Sequence, residues 1–105
     1  MTQAFEDIHL PGEDFPRRGR LLAEVAAEGS LPRLQIYDSF EYLLAIKRHC
    51  DGRIEHRQVW ISDDAFDGKC QPVHPLPEAE IRDDLRDFFG DDARTEALLA
   101  KLPPR

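Results

Sequence analysis

Two strand-like runs, 40–49 and 53–62, flank Cys50-Asp51-Gly52, and this arrangement constrains the fold more than any other feature of the chain. Asp-Gly is favoured in a two-residue type I′ turn because both central residues take positive φ. With Asp51 and Gly52 central, Cys50 faces Arg53. One face then carries Cys50 and pairs Tyr42 with Ile61, Leu44 with Val59 and Ile46 with Arg57. That is the expected core face. The other pairs Leu43 with Trp60, Ala45 with Gln58, Lys47 with His56 and His49 with Ile54. This second face is mostly polar, with one apolar spot at Leu43 and Trp60.

The flanks set the expected architecture. Residues 1–15 hold Pro11 and Gly12, show no periodicity and read as an extended or disordered arm; 16–105 read as one domain. Leu21, Leu22, Val25 and Ala26 predict a helix over 16–28, with Pro16 at its first position and Gly29 ending it. Arg17, Arg18 and Arg20 in its first turns would oppose the helix dipole. A short strand is predicted at 33–37. The 63–77 segment reads as a loop with three prolines. Ile81, Leu85, Phe88 and Phe89 predict a helix over 78–89, with Glu78 and Glu80 in its first turn and Gly90 as its stop. Asp91 or Asp92 caps a third helix to about residue 102. The expected fold is α+β: a three-stranded antiparallel sheet with helices on one face, in the order α-β-β-β-α-α.

Composition excludes several functions. A chain of 105 residues is one small domain with little room for both a core and an enclosed substrate pocket. With 21 acidic against 14 basic residues the net charge is −7, which disfavours nucleic acid. No 18-residue apolar run or signal-like N-terminus is visible, so neither a membrane nor secretion is expected. Two cysteines do not make a disulfide framework, and reduced thiols in the cytoplasm are expected. No glycine-rich phosphate loop occurs.

Candidate chemistry is sparse. His49, His56, Cys70 and His74 are the available soft metal ligands, but no C-x-x-C occurs and the predicted register parts Cys50 from His49 and His56. No metal or cofactor is expected. Cys70 and His74 lack an orienting third group, so catalysis is not expected. Asp83 and Asp87 share an exposed helical face with interleaved arginines, either a solvated face or an acidic docking patch. Leu43, Trp60 and His56, with Phe66 in the following loop, form the candidate protein-binding surface, because aromatic residues dominate interface hot spots.

The run Phe40-Glu41-Tyr42-Leu43-Leu44-Ala45-Ile46, followed by Arg53-Ile54, Ile61-Ser62, Ile81-Arg82 and Phe88-Phe89-Gly90, resembles the regulatory component D of soluble methane monooxygenase. The resemblance covers about half the chain and its elements are generic. It implies a non-catalytic protein that binds and inhibits a diiron hydroxylase, and it transfers no individual functional residue. The sequence reading is thus a small acidic cytoplasmic regulator that binds a larger enzyme component. The alternative is an immunity protein or antitoxin whose acidic helix 78–89 blocks a basic active site; a small zinc-binding protein is the third.

Overall fold

A computed structural model describes residues 4–39, 42–61 and 77–103. Five strands precede two helices: β1 (Glu6–Ile8), β2 (Arg17–Val25), β3 (Arg33–Ser39), β4 (Tyr42–Arg48), β5 (Ile54–Trp60), α1 (Glu78–Phe89) and α2 (Ala93–Ala100). The strands form one antiparallel meander, β1-β2-β3-β4-β5. This overturns the expected three-stranded sheet and the order α-β-β-β-α-α. The architecture is α+β, with both helices packed on one face.

The predicted first helix is strand β2, and a bulge explains the misreading. Leu21 pairs with Tyr37, but the next partnered residue, Ala23, pairs with Ile36, so Leu22 is an extra residue. Leu22 and Ala23 both pack against the helix-side core, whereas Leu21 packs on the opposite side. A bulge thus puts two consecutive residues on one face and breaks the period of two. Leu21, Leu22, Val25 and Ala26 then imitate a helical stripe. The helix dipole exerts no penalty on Arg17, Arg18 and Arg20, because no helix is there.

β2 serves two partners. Its first residues pair with β1, Glu6 opposite Gly19 and Ile8 opposite Arg17, and the remainder pairs with β3. Gly19 is needed for close approach: a Cβ there would stand 3.0 Å from Ile8 Cδ1 and 3.1 Å from Tyr37 Cβ. Ile8 and Leu10, in the segment expected to be an arm, are buried with Tyr37, Leu44 and Ile46. The sheet therefore has a core on each side. The larger one joins Ile36, Ala45 and Val59 to Ile81, Leu85, Leu98 and Leu99.

The helices form where their sequences place them. α1 buries Ile81, Leu85 and Phe89 at helical spacing. At α2 the Asp92 carboxylate caps the helix by accepting the Thr95 N–H at 3.0 Å. Polar contacts fix both helices to the sheet. Arg57 of β5 donates to Asp84 at 3.1 Å and Asp87 at 2.9 Å, and Phe88 lies between Lys47 and Arg57. Arg94 donates to the Ala26 and Pro32 carbonyls, and Lys101 to that of Glu24. Among the described residues, no helix is long and apolar enough to cross a membrane.

Candidate protein-binding site

The hairpin register differs by one from the expectation. The His49 N–H donates to the Arg53 carbonyl and the Gly52 N–H to the His49 carbonyl, so Cys50-Asp51-Gly52 is a three-residue loop with Gly52 at φ 93°. Asp51 stabilises it by accepting the Arg53 N–H at 2.9 Å. Asp-Gly suits this loop as well as the two-residue turn, because glycine supplies the left-handed residue. Tyr42 now pairs with Trp60, Leu43 with Val59 and Ile46 with His56. A one-residue slip exchanges the faces of one strand relative to the other.

The slip separates the sequence candidates. Leu43 is 5% exposed and belongs to the helix-side core. Trp60 and His56 are partly buried on the opposite face, Trp60 against the edge of Tyr42 with ring centroids 5.3 Å apart. Phe66 lies outside the described residues, as do Cys70 and His74. Cys50 sits exposed at the loop, not in a core face, with its thiol 3.4 Å from the Gly29 carbonyl. His49 contacts Glu55. Among the described residues no three His, Cys, Asp or Glu side chains converge as a metal site. On α1, Asp84 and Asp87 are committed to Arg57, and Asp83 to Arg86 at 3.1 Å.

A residue outside the sequence candidates is far more exposed. Phe15 is 81% exposed, the most exposed of the large apolar side chains described. Its surroundings are nevertheless tightly held. Arg17 grips Glu13 through two hydrogen bonds, Nε to Oε1 at 2.8 Å and Nη2 to Oε2 at 2.7 Å. Its Nη1 reaches the sheet, donating to Tyr42 Oη at 2.9 Å and Gln58 Oε1 at 2.6 Å. The guanidinium also lies over the Tyr42 ring. The bidentate pair thus closes the turn that carries Phe15 and bonds it to β4 and β5. Pro16 further restricts the backbone of Phe15. Arg17 holds the Glu13 carboxyl below its ordinary range by hydrogen bonding, with a smaller contribution from His56. The same bonds from Glu13 and then Tyr42 raise the pKa of Arg17.

Arg17 therefore ties the turn that carries Phe15 to the face of the Tyr42–Trp60 pair, in a fixed frame. The frame contains no nucleophile–base pair; it can bury apolar area against another molecule at low entropy cost. Sequence reading placed Phe15 at the end of the expected arm and missed its exposure. The available signal was the Glu13/Arg17 spacing around Phe15-Pro16, which the helix reading absorbed. Comparison with protein-family models, curated proteins and solved structures gave no match for this chain.

Proposed function

We propose that this chain is a small, acidic, non-catalytic regulator that binds another protein and covers a surface its partner needs. The observation that carries this reading is Phe15, exposed at 81% and fixed by the Glu13–Arg17 clamp. A large apolar side chain presented on a braced turn is a binding anchor, because little order has to be gained on docking. Ile8 and Leu10 are already buried, so docking needs no ordering of that segment. Tyr42, Trp60 and His56, on the sheet face that Arg17 reaches through Tyr42, extend the contact.

The acidic-mimic alternative has weaker support, because Asp83, Asp84 and Asp87 are already paired with arginines of the chain itself. A cytoplasmic setting follows from the reduced-thiol reading of the sequence. The sharper form of the proposal names the diiron hydroxylase of a soluble methane monooxygenase as partner, and it rests on the sequence resemblance. Titration into that hydroxylase's turnover assay tests it. Wild-type protein should inhibit and Phe15→Ala should not; equal inhibition by both would remove Phe15 from the interface, and inhibition by neither would remove the hydroxylase as partner.

A further inference from the structure

On the helix side, at the end of the sheet where β2 and β4 begin, lies a cleft of about 350 Å³. Leu22, Leu43, Ile61, Ile81 and Leu102 form its apolar walls. Two arginines stand among them. Arg20 donates to Asp38 at 3.0 Å and lies over the Phe5 ring; Arg82 donates to Glu78 at 3.2 Å and to the Leu99 carbonyl at 3.1 Å. The two ion pairs are not equivalent. Asp38 is 23% exposed and Glu78 51%, and the Arg82–Glu78 pair is an i,i+4 surface contact of the weak kind. The Leu99 carbonyl holds Arg82 through Nη1, a contact that does not involve Glu78.

We propose that this cleft binds a small aliphatic carboxylate, with the chain against Leu43, Ile61 and Ile81 and the carboxylate replacing Glu78 on Arg82. Apolar walls with a few convergent polar groups are the ordinary composition of a small-molecule site, and about 350 Å³ lies within the usual range for one. The charge complementarity is local. The chain as a whole carries −7 and Arg20 stays paired with Asp38, so anion binding depends on Arg82 exchanging its exposed Glu78 partner for the ligand. The inference is independent of the Arg17 clamp, which bonds to Tyr42 and Gln58 on the other side of the sheet.

Sodium decanoate below its micelle concentration is the probe, with 1-decanol as the uncharged arm, followed by methyl NMR of the full chain. Decanoate should shift the methyls of Leu43, Ile61 and Ile81 saturably, and decanol should bind at least about tenfold more weakly. Glu78→Gln, a surface change that leaves the fold intact, should tighten decanoate about threefold by removing the competitor for Arg82. Arg82→Gln should weaken it. Equal affinity for decanol, unsaturable shifts, shifts confined to Leu44 and Ile46 on the opposite face, or no gain in Glu78→Gln would each overturn the proposal.

Discussion

Arg17 shows how one side chain converts a turn into a rigid mount. Its Nε, Nη1 and Nη2 all have acceptors, in Glu13 on its own segment and in Tyr42 and Gln58 on the sheet. Phe15 contributes little to that arrangement. Phe15→Ala should therefore leave stability within about 0.5 kcal/mol of wild type in urea melts, while removing partner binding. Gly19 behaves in the opposite way. Ala at 19 would press a methyl onto Ile8 and Tyr37, and overpacking of this kind costs about 1–3 kcal/mol. The urea midpoint of Gly19→Ala should fall accordingly; an unchanged midpoint would mean that β1 does not pack against Tyr37. At this scale the sequence was poorly legible. Glu13, Phe15 and Arg17 are visible in it, but the contact of Arg17 with Tyr42 and Gln58 joins residues far apart in the chain.

Elements were legible wherever local signals agreed. α1 combines acidic residues in its first turn with an unbroken apolar stripe, and it runs over Glu78–Phe89 as the sequence predicts. Asp92 caps α2, one of the two residues expected to do so. β3, β4 and β5 fall within or around their predicted runs. Two local ambiguities defeated the rest. The bulge at Leu22 concealed the alternation of β2, and it depends on pairing with β3, which is tertiary information. Cys50-Asp51-Gly52 is compatible with a loop of two or of three residues, and the choice moved Leu43 away from Trp60. The three-residue loop makes its own prediction. Gly52→Ala forces a Cβ into φ 93° and should cost about 1–2 kcal/mol, measured by denaturant midpoint.

At the scale of the whole molecule, several carboxylates among the described residues are tied down by arginines, by His49 and by backbone N–H groups. Glu13, Glu55 and Glu96 are held below their ordinary carboxylate value by hydrogen bonds from Arg17, His49 and Arg86; Asp51 and Asp92 are held down by the N–H groups of Arg53 and Thr95. Each is more acidic folded than unfolded, so each adds stability above its unfolded pKa and loses it as pH falls through the folded value. The denaturant midpoint should hold from neutral pH to about pH 5 and then drop below the ordinary values of 4.5 for Glu and 3.8 for Asp. A midpoint that rises on acidification would mean that repulsion within the −7 chain outweighs these contacts. The two cores divide the sheet into a side bearing the helices and cleft and a side bearing Tyr42 and Trp60, to which Arg17 ties the Phe15 turn. The proposed protein binding belongs to the latter. The most direct measurement is quantitative capture from the source lysate with wild-type and Phe15→Ala baits, using Leu31→Ala, at the other exposed large apolar side chain among the described residues, as the control. A protein enriched by wild type and by Leu31→Ala, but depleted at least about tenfold by Phe15→Ala, is the predicted result. Indistinguishable capture by the wild-type and Phe15→Ala baits would contradict the claim that Phe15 is the anchor.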